Sequence, residues 1–191
     1  MKKVNLFLLV AITIVGFSFM SCATPVEETQ EPAPVIGAEG FPMPEWVNSV
    51  PRVADLHYET GYAKLSSKAN SMQRANAAAK EKISQWINTT VQSVIVNYTS
   101  DSGSGDNRQS LEVFESISRQ IANNSLVGVT QEALWVDQDG GVWILASIPI
   151  ENTLQAFESA EESFNINEAA VFADFKMNEA LDMLEKSLTS E

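Results

Sequence analysis

The chain has 191 residues, 45% of them hydrophobic, with 12 basic and 25 acidic side chains and a formal net charge of −13. A carboxylate excess on this scale repels nucleic acid and anionic lipid headgroups, because both require clustered Lys and Arg. One cysteine, Cys22, excludes an internal disulfide, and the length suffices for a single domain with a real core.

Residues 1–21 read as an export signal: Lys2 and Lys3 open it, Leu6 to Phe19 forms an apolar run, and Ser21 precedes Cys22. That run is shorter than the roughly 20 apolar residues of a spanning helix, so cleavage is expected rather than retention. Phe19-Met20-Ser21-Cys22 is similar to the looser bacterial lipoboxes, whose cysteine becomes the acylated first residue of the mature chain. The alternative is ordinary cleavage that leaves a free thiol near the new N-terminus, a liability in an oxidising compartment. Once the leader is gone, 10 basic residues face 25 acidic ones, a net charge of −15. Membrane attachment must then come from acyl chains of the palmitate type on Cys22, and more than one chain gives a stable anchor.

Residues 22–44 are expected to be a tether. Pro25, Pro32, Pro34, Pro42 and Pro44 oppose helix and ladder, and the segment has four glutamates and no Lys or Arg. Fully extended it reaches about 65 to 70 Å. A proline-rich ligand is the weaker reading, because Pro32-Ala33-Pro34 has no basic neighbour.

The folded part is expected from Pro44-Glu45-Trp46 onward, with the domain proper over 45–152 and a C-terminal helical segment over 153–191. Asp55 to Ala63, with His57, Tyr58, Gly61 and Tyr62, reads as an edge strand. Met72, Ala75, Ala79, Ile83, Trp86, Ile87, Val91, Val94 and Tyr98 recur at three- and four-residue steps, an apolar stripe on one long helix. Its end, Thr89 to Thr99, is rich in β-branched residues and reads equally as a strand. Asp101 to Arg108 is a polar loop, and Leu111, Phe114, Ile117 and Ile121 mark a second helix closed by Asn123-Asn124.

Leu126 to Val136 and Val142 to Ile150, joined by Asp137-Gln138-Asp139-Gly140-Gly141, predict an antiparallel hairpin with Trp135 and Trp143 paired across it. Pro149 predicts that the second strand ends at, or forms, an exposed edge. Leu154 and Phe157 open a helical stripe reaching Phe164, and Phe172, Lys176, Ala180, Leu181, Leu184 and Leu188 form another. The fold class is therefore α+β: a small antiparallel sheet against a long alanine-rich helix, with a C-terminal helical extension. If the core is already complete by about Ile150, the last helix must either cover one side of the sheet or pair with another chain. Phe172, Phe175, Leu181 and Leu184 motivate self-association.

The order of these features resembles the bacterial Lpp-twenty lipoprotein family over roughly Trp46 to Ile150. The likeness rests on the lipobox, the Pro44-Glu45-Trp46 entry, the strand with Gly61, the helix with Ala75 and Ala79-Lys80 before Ile83, and the hairpin from Asp139 to Leu145. The resemblance implies a small α+β domain in the periplasm or on the cell surface. In some relatives it implies association with flagellar or outer-membrane structures, and it implies no catalytic residue.

Chemistry is sparse along the chain. His57 is the only imidazole and Cys22 is committed to the anchor, so a Cys/His dyad or a soft-metal site cannot be built. A serine triad lacks a Gly-x-Ser-x-Gly elbow. Glu27-Glu28 and Glu161-Glu162 read as solvated pairs. Asp101, Asp106, Asp137 and Asp139 lack the alternating spacing and distal Glu of a calcium loop, and Gly103-Ser104-Gly105 opens no phosphate-binding signature. No cofactor and no metal are expected. Trp46, Trp86, Trp135 and Trp143 read first as packing residues and second as a glycan-stacking surface.

Two function classes follow. One is a non-catalytic envelope lipoprotein acting as a structural or protein-interaction module. The other is a binding module for an envelope polymer or small ligand on the Trp135/Trp143 hairpin surface. Ala23 after the cysteine lacks the Asp-type inner-membrane retention signal known in enteric bacteria, so the outer membrane is the expected location.

Overall fold

The computed structural model describes residues 33–101, 108–160 and 177–189. The chain divides into two units, Met1–Ala33 and Pro34–Glu191, and all of the first except Ala33 lies outside the described residues. Cys22 and Glu27-Glu28 therefore fall outside them, as do Gly103, Ser104, Gly105, Asp106, Glu161-Glu162, Phe172 and Phe175.

The second unit opens with a loop rather than a free spacer. Val35 to Met43 close on themselves through an Ile36–Pro42 bridge and the Met43 N–H donating to Val35 O at 2.7 Å. Ala38 N donates to Val136 O at 3.2 Å, and Trp135 Nε1 donates to Phe41 O at 3.1 Å. Of the tether expected over 22–44, the described part is thus a strap fastened to the sheet. Buried backbone groups need partners, and the strap's find them on the hairpin. A 3-10 turn, Glu45–Val47, carries Trp46 onward.

Three antiparallel strands form one sheet in the order β1-β3-β2: β1 Leu56–Ala63, β2 Thr130–Val136 and β3 Val142–Pro149. The expected edge strand is β1. Its register places Gly61 opposite Ile144 and Tyr62 opposite Trp143. On the other side Trp135 lies opposite Trp143 and Val136 opposite Val142. β3 is the central strand, which removes the edge reading of Pro149. The proline ends the strand and leads into the next helix with φ −65°. The other expected strand is shorter than read: the second helix runs on to Ser125 and a 3-10 turn covers Leu126–Gly128, so β2 begins at Thr130. A bulge between Gln131 and Ala133 interrupts its ladder and turns Glu132 toward Ser147, whose hydroxyl donates to Glu132 Oε1 at 2.5 Å.

One face of the sheet packs on the long helix α1, Lys68–Asp101. Ser67 Oγ accepts the Asn70 N–H at 3.2 Å and caps its first turn. Ala75, Ala79, Ile83, Ile87, Val91 and Ile95 are fully buried at four-residue steps. The β-branched end stays helical because Val91, Val94 and Ile95 continue that stripe into the core; burial outweighs the few tenths of a kcal/mol of propensity per residue. At Gly61 the strand approaches the helix so closely that a β-carbon would sit 1.9 Å from Ala75 O and 2.6 Å from Ala79 N.

Helix α2, Arg108–Ser125, lays Ile117, Ile121 and Ala122 on α1. The side chains of Leu111 and Phe114 are outside the description. Helix α3, Ile150–Glu158, follows β3 directly and buries Phe157 completely. Helix α4, Met177–Thr189, corrects the expectation that the core closes near Ile150. Ala180, Leu184 and Leu188 are buried in the same cluster as Ile83, Ile148 and Phe157, with α4 resting on α1 and α3. Leu184 is thus committed within its own chain and Leu181 is half-buried there. A smaller cluster of Ala63, Ala75, Val136, Val142 and Ile144 fills the turn end of the sheet.

Candidate functional site

The β2–β3 turn is built around Asp137. Its Oδ1 accepts the N–H groups of Asp139 at 2.9 Å and Gly141 at 2.7 Å, while Gly140 takes φ 79°, a conformation that a side chain disfavours. Asp137 Oδ2 accepts the Tyr62 hydroxyl at 3.0 Å, which ties the turn to the end of β1. Partial desolvation of that exposed hydroxyl, then the bond to Asp137 and the charges of Asp137 and Asp139, raise the Tyr62 phenol above its ordinary value of 10.0. The two aspartates singled out as calcium candidates are therefore turn residues, and Asp139 also lies 3.8 Å from Lys64. Asp101 closes α1 and Asp106 is outside the description. Among the described residues no group of three or more His, Cys, Asp or Glu side chains is placed to hold a metal.

On the sheet face away from α1 the aromatics run in a line. Tyr62 and Trp143 meet at 4.8 Å between ring centroids and 43° between planes, and Trp143 neighbours Trp135, which is buried at 6% with its indole N–H bonded to the strap. Trp46 and Trp86 are half-buried. Around this line the turn end of the sheet is unusually apolar. Eight large hydrophobic side chains are exposed among the described residues, and six of them, Val35, Ile36, Phe41, Tyr62, Leu65 and Met72, belong to the strap, the end of β1 and the segment that starts α1, which meet at this end of the sheet. Two contacts tie these segments: Lys68 of α1 reaches Glu39 of the strap, and Leu65 N donates to Ser71 Oγ at 2.9 Å. Scattered apolar side chains are normal on a surface, whereas a gathered set marks contact with something.

Sequence reasoning missed the strap's share of this surface. Proline density made 22–44 look like a spacer, and it outweighed the signal of Val35, Ile36, Phe41 and Met43 around Gly37 and Gly40, a turn bracketed by apolar residues.

The opposite end of the sheet holds a groove of about 320 Å³ lined by residues including Val50, Pro51, His57, Ile150 and Leu188. His57 stacks flat on Trp86 at 3.6 Å and 1°. Its Nε2 is buried without a hydrogen bond and lies 3.4 Å from Glu59 Oε1, near enough for attraction but not aligned to bond. Glu59 Oε2 also lies 4.0 Å from Lys82. The stack on Trp86 packs β1 against α1, and His57 also lines the groove. No helix among the described residues is long and apolar enough to cross a membrane. Comparison with family models, with curated proteins and with solved structures returned no match.

Proposed function

We propose that this chain is a lipid-anchored protein of the bacterial envelope, acylated on Cys22 and residing at the outer membrane, whose folded body is a non-catalytic structural or interaction module. The observation that carries the reading is Cys22 itself, set directly behind a basic start, the apolar run Leu6 to Phe19 and a small residue. The order of motifs shared with the Lpp-twenty lipoproteins supports it. So does the chain's only imidazole, which is stacked flat on Trp86. An interaction module needs a surface, and the apolar turn end of the sheet is suited to that role.

The test is mass spectrometry of the mature N-terminus together with labelled-palmitate feeding and fractionation. Acyl chains on Cys22, with C22A moving to the soluble fraction, are expected. An unmodified thiol at a processed N-terminus, or a wild-type product released to the medium without label, ends the account.

A further inference from the structure

We propose that the turn end of the sheet, carrying Val35, Ile36, Phe41, Tyr62, Leu65 and Met72, docks on the neutral lipid surface that seats the acyl chains of Cys22. The inference rests on the anchoring reading above and names the contact that reading leaves open.

Three observations select lipid as the occupant. First, the compact unit begins at Pro34, one residue before the exposed Val35. Cys22 is 12 residues earlier, and covalent geometry holds it within roughly 43 Å of Pro34. Second, the charges at this end are paired locally: Lys64 with Asp139, Lys68 with Glu39, and Asp137 with the Tyr62 hydroxyl and two backbone N–H groups. The chain from Pro34 onward carries 22 acidic residues against ten basic ones in all. An uncharged bilayer surface accepts such an end, whereas anionic headgroups would repel the body behind it. Third, Tyr62 is 41% exposed, with its hydroxyl held on one side by Asp137 and Phe41 standing 66% exposed across the strap, the combination of apolar body and wet tip that suits a headgroup boundary.

The competing occupants fit less well. The stretch from Ala23 to Ala33 offers Val26 as its one large apolar side chain, beside three glutamates. A sugar ring would need a flat open indole, yet Trp135 is buried and Trp143 is engaged with Tyr62.

The full mature protein, acylated, is reconstituted in phosphatidylcholine vesicles with brominated chains, and tryptophan quenching is compared between wild type and F41S/L65S. Both substituted side chains are exposed, so folding is expected to persist, and circular dichroism verifies it. Quenching in the wild type that falls about threefold in the double variant supports docking, because interfacial binding scales with buried apolar area. New hydrogen-exchange protection over residues 35–43 and 62–65 in vesicles, absent in the double variant, supports it independently. Equal quenching in the two proteins, or none in a wild type whose Cys22 carries acyl chains, overturns docking and leaves anchoring intact. A Cys22 without acyl chains overturns anchoring and docking together. Tryptophan shifts with soluble cell-wall fragments that vanish in F41S/L65S, or cross-linked dimers that do so without lipid quenching, assign the surface to a polymer or a second copy and overturn the proposal.

Discussion

Replacing Gly61 by alanine tests how β1 and α1 are fitted together. The added β-carbon would lie 1.9 Å from Ala75 O, 2.6 Å from Ala79 N and 2.9 Å from Ala75 C. An ordinary carbon–oxygen approach is about 3.3 Å, so strand and helix must separate by roughly 1.4 Å. All three obstacles are helix backbone, which cannot rotate aside as a side chain does. Separation also lifts Ala79, Ile83 and Ile87, all fully buried, from their partners on the sheet. Overpacking of this kind costs about 3 kcal/mol, against which the entropy gained by replacing glycine returns less than about 1 kcal/mol.

A net loss of roughly 2 to 3 kcal/mol lowers the urea midpoint by about 1 to 1.5 M at a slope of about 2 kcal/mol/M, followed by tryptophan emission. Gly128 supplies the contrast. A β-carbon there meets only the Asn152 amide, at 1.7 Å to Nδ2, and that side chain can swing away. G128A should therefore stay within about 0.5 kcal/mol of the parent. A G61A midpoint indistinguishable from wild type would refute the reasoning, as would rescue by A75G, which removes none of the clashing atoms.

Leu184→Ala should cost about 3 kcal/mol, because Leu184 is fully buried against α1 and α3; a loss under about 0.5 kcal/mol by urea unfolding would place α4 outside the core. Tyr62 makes stability fall at high pH. Its phenol is raised in the folded state, so the contribution is complete below the ordinary value of 10.0 and is lost as pH climbs from there through the folded value. The urea midpoint of wild type should drop more steeply than that of Y62F above pH 10, and parallel curves would exclude the effect. His57→Ala should brighten and shift Trp86 emission by removing the ring stacked on it at 3.6 Å, and unchanged emission would contradict that stack.

Much of the fold was legible from local pattern. The Ala75-to-Val94 stripe, the Asp-Gly-Gly turn and the alternation around it announce themselves, because period and turn chemistry depend only on neighbours in the chain. The candidate surface was legible in part. Trp143 and Tyr62 could be named, but their meeting depends on β1 pairing with β3 across 80 residues of intervening chain. Phe41 was hidden among prolines, because the sheet's hydrogen bond to it comes from Trp135, 94 residues away, while Val136 O accepts from Ala38 of the same strap.

What this sequence determined by itself was the acidic charge balance and the identity of the helices and the hairpin, since each is written in consecutive residues. Tertiary structure decided the rest: which strand is central, that Thr89 to Thr99 remains helical, that the C-terminal helix completes its own chain's core, and that the strap and sheet share one apolar end. Those outcomes turn on which surfaces meet. Burial energy is assigned by contacts between distant segments, and a linear pattern cannot specify which apolar face will find which partner.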